Sequence, residues 1–423
     1  MRTLAIVLAL GGVAACNWTT FDDLANTTWV NSTQKPDQKS SDWGLAIQRG
    51  SMNGTPGRLA VLGTNSTVYT ALSYGTDGKS ELDAGVVDDQ LNGEALLQDQ
   101  PILLADPTTD NLSLVTPTQD SGAVAFTGTT SLQVVQFAAG TIPTGAAYMK
   151  LTNSPATDVL FVAIGDLVLP NIGCPSFMPP QLTLEDEVTS ADNPVMVAAM
   201  AGVPISSPMH DDLVVWATNG KLYVYPDFDS AASPINDVSC PINLYQTLHA
   251  ATVTDTGFMP GTGAQLLVDG KLVVVTGEKV GSSSGTNSPE SLIVTYDVST
   301  GTPTLVGAPI DRNDGVGLHA AVIQAYNGQS YVFAGFPTAP VNSLTTGVVE
   351  VFSYDGTNGI DPQPVQTLYD AQPDENELFG RSLAIMPYEG ANVLAVGASN
   401  EVFAYFQIVD SGGSPIYEDP RTN

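Results

Sequence analysis

From residue 41 onward the chain repeats one pattern of apolar and polar positions. A run of β-branched and aromatic residues ends in Gly or another small residue, and a short turn and a second, alternating run follow. Runs with a period of two that are separated by Gly-rich turns predict β-strands. No segment of the sequence carries the period of a long amphipathic helix, so the chain is expected to be all-β.

The pattern occurs seven times. Its clearest copies lie at 58–63 with 67–72, 272–277 with 292–296, 331–335 with 348–352, and 393–397 with 401–406. Weaker copies lie at 123–128, 160–165, and 212–217 with 221–225. The spacing averages about 56 residues, although the interval between Gly128 and Gly165 is only 37. A regular unit long enough for four short strands predicts a seven-bladed β-propeller of four-stranded antiparallel blades.

A second kind of segment precedes several of these runs. Phe379–Ile385 aligns residue for residue with Val316–Val322, and Trp43–Ile47 and Leu248–Ala251 are looser copies. These segments resemble the FG-GAP repeats of integrin-α-like seven-bladed propellers. The resemblance implies that this half of each repeat lies near the inner strand of a blade, where small residues allow close packing around the axis.

Many members of that family bind calcium in a loop between the two halves of the repeat, and calcium takes roughly six to eight oxygen ligands. None of the corresponding loops contains as many as three acidic residues; they lie at 49–54, 324–328 and 386–392. Calcium sites of the family type are therefore not expected, nor is any other cofactor. One acidic turn offers candidate calcium ligands, namely Asp88, Asn92 and Glu94. The alternative is a solvated acidic turn.

The first sixteen residues have the pattern of an export signal. Arg2 precedes a short apolar run, Leu4–Leu10, and then small residues. The run is shorter than the roughly 20 residues that cross a bilayer. Val13–Cys16 resembles the bacterial lipobox, which implies cleavage after residue 15 and a diacylglyceryl group on the Cys16 thiol. The alternative is ordinary secretion with cleavage near Ala15.

The lipobox divides the chain into a signal peptide at 1–15, a lipidated tether at 16–40 and a propeller domain at 41–423. It implies membrane contact through the lipid and a place on the outer membrane of the bacterial cell envelope. The tether contains one β-prone patch, Thr27–Val30. A propeller needs its first and last blades to share strands, so residues near 27–32 are predicted to pair with the strand at 401–408.

Two cysteines remain if Cys16 carries lipid. Cys174 and Cys240 are each followed by proline, which indicates loops. An exported chain meets an oxidising compartment, where two remaining cysteines usually pair. A Cys174–Cys240 disulfide is therefore predicted, with two free buried thiols as the alternative.

The charge balance excludes some partners. The chain has 44 Asp and Glu against 13 Lys and Arg, a formal net charge of -31, and no basic cluster. Binding to nucleic acid or electrostatic docking on anionic lipid is disfavoured. The acidity keeps an exported domain soluble, or it attracts divalent cations or a basic partner.

Catalytic motifs are missing from the sequence. The three histidines fit no zinc spacing, and no nucleophile elbow, P-loop or dinucleotide fingerprint occurs. His249 and His319 occupy matching positions in two repeat copies, Leu-His-Ala-Ala. We therefore expect a monomeric, non-enzymatic binding or scaffold module for a protein or glycan ligand. The alternatives are a polysaccharide hydrolase or lyase with carboxylates in the propeller funnel, and an envelope-assembly factor.

Overall fold

The described part of the chain is all-β. The computed structural model describes residues 30–34, 41–52, 55–65, 68–74, 82–88, 102–110, 112–117, 132–137, 142–151, 158–170, 181–186, 193–226, 228, 245–280, 290–312, 314–326, 329–370, 374–388, 391–399, 401–406, 408–409 and 415–416. The elements it gives there are β-strands. No helix in these residues is both long enough and apolar enough to cross a membrane.

Within these residues the strands form seven sheets of three or more strands, numbered here in chain order. Sheet 1 consists of Ser41–Met52, Thr55–Asn65, Val68–Tyr74 and Leu82–Asp88. Sheet 2 consists of Ile102–Ala105, Leu112–Pro117 and Leu132–Phe137. Sheet 3 consists of Gly145–Met149, Val159–Ile164, Leu167–Pro170, Gln181–Asp186, Asn193–Pro194 and Tyr245–His249.

The remaining sheets follow the same order. Sheet 4 consists of Val197–Val203, Asp212–Ala217, Lys221–Tyr225 and Thr252–Asp255. Sheet 5 consists of Gln265–Asp269, Leu272–Val280, Glu290–Asp297, Thr304–Arg312 and the short Met259–Pro260. Sheet 6 consists of Ala320–Tyr326, Gln329–Phe336, Val348–Asp355, Gly359–Ile360 and Gln366–Leu368. Sheet 7 consists of Ser382–Tyr388, Ala391–Gly397, Glu401–Phe406 and Val30–Gln34.

Two short hairpins lie outside these sheets. They pair Pro340–Val341 with Leu344–Thr345 and Ile408–Val409 with Pro415–Ile416.

Six of the seven predicted repeat copies lie on the second strands of sheets. The alternating runs that were paired with five of them lie on the third strands. The exception is 123–128, which lies outside the described residues. The second strand described in sheet 2 is Leu112–Pro117, which the repeat pattern did not include. Leu112–Pro117 ends in proline rather than glycine, and the sequence search therefore missed it.

Two sheets depart from the predicted antiparallel blade. In sheet 2, Leu112–Pro117 and Leu132–Phe137 run parallel. In sheet 3, Tyr245–His249 pairs in parallel with Gln181–Asp186. The strand Tyr245–His249 lies between the third and fourth strands of sheet 4 in the sequence, so this part of the chain crosses to the neighbouring sheet and returns.

Neighbouring sheets meet through their first strands. The first strand of each sheet contacts that of the next, and the first strand of sheet 7 contacts that of sheet 1. Separate apolar cores fill the spaces between sheets 3 and 4, 4 and 5, 5 and 6, and 6 and 7. The core of this part of the chain is thus divided among the gaps between sheets, and sheets 4, 5 and 6 each present apolar faces to two neighbours.

Three of the four segments that resemble FG-GAP repeats lie at or near the start of a first strand, namely 43–47, 316–322 and 379–385. The fourth, 248–251, instead overlaps the end of the added parallel strand of sheet 3. Phe379 is buried and makes edge-to-face contact with Phe403, their ring centroids 5.2 Å apart. Gly44, at the matching place in sheet 1, has φ +88°, and a Cβ there would lie 2.7 Å from the carbonyl oxygen of Ala398. Ser382 Oγ donates a 2.7 Å hydrogen bond to the Gly44 carbonyl. Small residues therefore allow sheets 7 and 1 to come together.

The fourth strand of sheet 7 comes from the other end of the chain. Val30–Gln34 pairs antiparallel with Glu401–Phe406, with Val30 opposite Tyr405 and Gln34 opposite Glu401. The predicted pairing of the N-terminal patch with the final repeat is confirmed, three residues later than the sequence suggested. Trp29, the aromatic residue expected to anchor this strand, lies outside the described residues.

Candidate functional site

Most of the predicted site residues lie outside the described part of the chain. These are Cys16, Cys174, Cys240, Asn92 and Glu94. Asp88 ends the fourth strand of sheet 1, where its backbone pairs with Tyr69. Among the described residues, no three His, Cys, Asp or Glu side chains converge in a way that could hold a metal ion. A lipid at Cys16, the disulfide and a calcium site at Asp88 stay predictions.

The two histidines predicted to be equivalent are not. His319 directly precedes the first strand of sheet 6, whereas His249 ends the added parallel strand of sheet 3. His319 Nε2 lies 3.1 Å from Glu278 Oε1, and His249 Nδ1 lies 3.7 Å from Glu185 Oε2. The shared Leu-His-Ala-Ala letters therefore arise in different structural contexts.

Charged side chains gather instead at the boundary of sheets 5 and 6. The upper end of a sheet is defined as the end at which its first strand begins and its second strand ends. The sheet 5/6 ionic cluster lies at the upper ends of both sheets and consists of Glu278, Lys279, Glu290, Asp311, Arg312, Asp314, His319 and Glu350. Strand pairing explains the grouping within sheet 5, because Lys279 is directly opposite Glu290, and the neighbouring Ser291 is opposite Arg312.

Lys279 is held by two carboxylates. Its ammonium lies 2.9 Å from Glu290 Oε2, bonds Asp311 Oδ1, and sits 5.3 Å from the centroid of the Phe258 ring. Burial by itself lowers the pKa of Lys279, but the hydrogen bonds with Asp311 and Glu290 outweigh it and raise the pKa. Lys279 is therefore charged and fixed in place.

Arg312 joins sheet 5 to sheet 6. Its Nη1 donates a 2.7 Å hydrogen bond to Glu350 Oε2, and its Nη2 donates one of 2.7 Å to Asp314 Oδ2. The guanidinium lies 4.6 Å from the centroid of the Phe336 ring. Burial by itself lowers the pKa of Arg312, but Glu350 and Asp314 raise the pKa by more than burial lowers it. The net shift is upward.

Gly317 makes room for the third pair in this cluster. A Cβ at Gly317 would lie 1.9 Å from Glu278 Oε1, the atom that faces His319. The cluster then contains five carboxylates and two permanent cations. Negative charge is in excess even when His319 carries a proton.

An apolar row adjoins this cluster. Ile142, Met196 and Met259 are 59%, 45% and 53% exposed. They precede the first strands of sheets 3, 4 and 5, and these three first strands contact one another in that order. We call these three residues the apolar row.

One hairpin turn lies next to both methionines of the row. Met196 O accepts a 2.9 Å hydrogen bond from Thr218 N, in the turn after the second strand of sheet 4. A Cβ at Gly220, in the same turn, would lie 2.5 Å from the carbonyl oxygen of Phe258, the neighbour of Met259. Met196 and Met259 therefore flank one turn.

A second acidic group lies where sheet 6 connects to sheet 7. Burial, and then the charges of Asp370 and Glu401, raise the pKa of Glu377 to about 8. Glu377 and Asp370 share a hydrogen bond.

Comparisons with known proteins show the fold class. No protein-family model and no curated protein matches the chain. A chain in the structure of a humanized mutant of the Chaetomium thermophilum Polycomb Repressive Complex 2 bound to the inhibitor GSK126 is similar, with 9% identity and a TM-score of 0.50 over 89% of this chain and 97% of that one. A chain of apo ctPRC2 in an autoinhibited state gives the same values. A chain from the structure of BBS1N in complex with ARL6DN has 13% identity and a TM-score of 0.49, over 89% and 96%.

Identities this low bear on the fold alone. With the sheet order described above, the two matches at a TM-score of 0.50 place the chain in the all-β, β-propeller-like class.

Proposed function

We propose that the protein is a closed, seven-bladed β-propeller of the FG-GAP type that acts as a non-enzymatic binding or scaffold module. The cyclic order of first-strand contacts supports seven blades, because sheet 7 contacts sheet 1 as each other sheet contacts its successor. The N-terminal strand in sheet 7 supports closure, since it joins the two ends of the chain in one blade.

One observation carries the binding function. The upper ends of sheets 3 to 6 present exposed apolar side chains beside charged side chains that are already held in fixed pairs. Fixed charges and exposed apolar groups are features of recognition surfaces, whereas a general acid or base must be free to exchange its proton with a substrate. Propellers gather the loops of every blade on one face, and loops carry binding function.

The proposed location is the bacterial outer membrane, through lipid on Cys16. Val30, where the closing strand begins, lies fourteen residues after Cys16. An extended chain of that length spans at most about 50 Å, so the propeller would stay within that distance of the bilayer. The membrane contact is then the lipid itself, in keeping with the acidic surface.

The test uses the full chain with Cys16→Ser, so that the protein is free of lipid while the closing strand is kept. This protein is applied to a glycan array and to a panel of purified envelope proteins, and polysaccharides that bind are also incubated with it and assayed for new chain ends. We expect saturable binding to at least one ligand without cleavage. Cleavage of a polysaccharide, or the absence of binding across both panels, would overturn the proposal.

A further inference from the structure

We infer that the apolar row and the sheet 5/6 ionic cluster together form a docking surface for a basic, amphipathic segment of a partner protein. This inference rests on the proposed binding function and adds to it a surface and a class of partner.

The apolar half of the surface lies at the upper ends of three sheets whose first strands contact one another in turn. Six large apolar side chains are exposed within the described residues, and three of them form the row at the upper ends of sheets 3, 4 and 5. Single exposed apolar residues are common on soluble proteins, but neighbouring ones mark interaction sites. Methionine is well suited to such a surface because its unbranched side chain adapts to different partners.

The row leads directly into the ionic cluster. Met259 pairs with Val280, and Pro260 pairs with Lys279, on the strand that also carries Glu278. The next residue, Gly261, donates a 2.7 Å hydrogen bond from its amide to the Glu278 carbonyl. A bound segment that covers Met259 would therefore also lie against the charged side chains.

Charge selects the partner. The cluster has five carboxylates and two permanent cations, and each cation is already bound to two carboxylates. The cluster as a whole therefore keeps an excess of negative charge for an incoming Lys or Arg, and Asp314, which bonds Arg312, has a side chain that is 44% exposed. An acidic segment would be repelled by the cluster and by the net charge of -31. Apolar side chains on the row and basic side chains on the cluster describe an amphipathic, basic segment.

The test measures peptide binding to the full chain with Cys16→Ser. A fluorescein-labelled peptide of about 18 Leu and Lys residues, spaced to form an amphipathic helix, is titrated by fluorescence anisotropy at about 50 mM and about 300 mM salt. Two matched peptides replace every Lys by Glu or every Leu by Ser. We expect the Leu-Lys peptide to bind most tightly, with affinity that falls as salt rises.

Surface variants locate the site. The double variant Met196→Ser with Met259→Ser should weaken binding of the Leu-Lys peptide at least about tenfold, because both apolar contacts are lost. Met209→Ser is the matched control. Met209 is 60% exposed but lies between the first and second strands of sheet 4, at the opposite end of that sheet. Both variants change exposed side chains, and their melting temperatures should match that of the parent.

The outcomes separate this inference from the proposed function. Equal loss of binding in the double variant and in Met209→Ser, or equal binding of the Leu-Lys and Ser-Lys peptides, would overturn the docking surface. A ligand found in the envelope screen whose binding is insensitive to Met196→Ser with Met259→Ser would also overturn it, while leaving the proposed function in place.

Discussion

Single glycines show how closely the sheets approach. Gly44 has φ +88°, and a Cβ there would also lie 2.9 Å from the carbonyl oxygen of Glu401, at the boundary of sheets 7 and 1. Gly301 has a similar φ of +79°, but a Cβ there would meet no packed neighbour within 4 Å among the described residues. Both positions have the positive φ that favours glycine. They differ in the space for a Cβ, which is present at Gly301 and absent at Gly44.

We therefore expect Gly44→Ala to destabilise the protein far more than Gly301→Ala. The control change should cost about 1–2 kcal/mol, from the left-handed backbone alone. At Gly44 the backbone of sheet 7 must also move, so the melting temperature should fall much further. Thermal unfolding of the two variants measures the difference, and equal losses would show that the close approach at Gly44 is not rigid.

Glu377 gives the protein a defined pH dependence. Its pKa is raised from 4.5 to about 8 in the folded protein, so the folded state binds a proton more tightly than the unfolded state does. The stability that this proton contributes is present below about pH 4.5 and is lost as the pH rises through about 8. Glu377→Gln removes the ionisable group and keeps the shape of the side chain.

The variant Glu377→Gln should therefore gain stability relative to the parent as the pH rises from 5 to about 9. Melting temperatures measured across this range give the difference curve. The nearby, exposed Glu375→Gln is the control variant against which the curve is compared. A flat difference curve for Glu377→Gln would mean that its carboxyl group does not have the raised pKa.

At the scale of elements, the N-terminal strand contributes to sheet 7. Val30–Gln34 supplies the partner of Glu401–Phe406, and its removal would leave an unpaired strand edge. Deleting 17–34 in the Cys16→Ser protein should lower the melting temperature by several degrees, whereas deleting 17–29 keeps the strand and should have less effect. Similar melting temperatures for the two deletions would show that the pairing adds little to stability.

Strand register bears on the predicted disulfide. Gln181 and Tyr245 lie opposite each other at the start of the parallel pair in sheet 3. Cys174 lies seven residues before Gln181, and Cys240 lies five residues before Tyr245. Both cysteines lie outside the described residues, so the Cys174–Cys240 bridge stays a prediction.

Non-reducing peptide mapping should find the Cys174 and Cys240 peptides joined. The bridge closes a loop of roughly 66 residues and would contribute about 4 kcal/mol through the unfolded state, so a reducing agent should lower the melting temperature. Labelling of both thiols in the native, unreduced protein would reject the bridge.

At the scale of the whole molecule, lipid on Cys16 is the proposed membrane anchor. Cys16→Ser should move the protein from the membrane fraction to the periplasm or medium, because the apolar surface that binds the bilayer is the lipid. Thr19→Ser, close by but outside the lipobox, should stay with the membrane. Cell fractionation and immunoblotting test this expectation, and a Cys16→Ser protein that still pellets with membranes contradicts it.

The sequence by itself determined which segments are strands and how often they recur. β-branched residues with a period of two specify an extended backbone locally, so 272–277 and 393–397 are recognisable without their partners. The family resemblance implied that the similar segments lie near first strands, which holds at 43–47, 316–322 and 379–385 but not at 248–251. The local reasoning missed one second strand. It failed at Leu112–Pro117, where the closing glycine is absent.

Only the tertiary structure decided which strands pair across long separations and which side chains meet. The parallel strand Tyr245–His249 has no local signal, because a strand of sheet 4 would have the same alternation. That crossing makes His249 and His319 different despite identical neighbours. The sheet 5/6 ionic cluster likewise joins residues from Glu278 to Glu350, which only the packing of sheet 5 on sheet 6 brings together. Local backbone preference acts over a few residues, whereas these contacts depend on register and on the packing of one sheet against another.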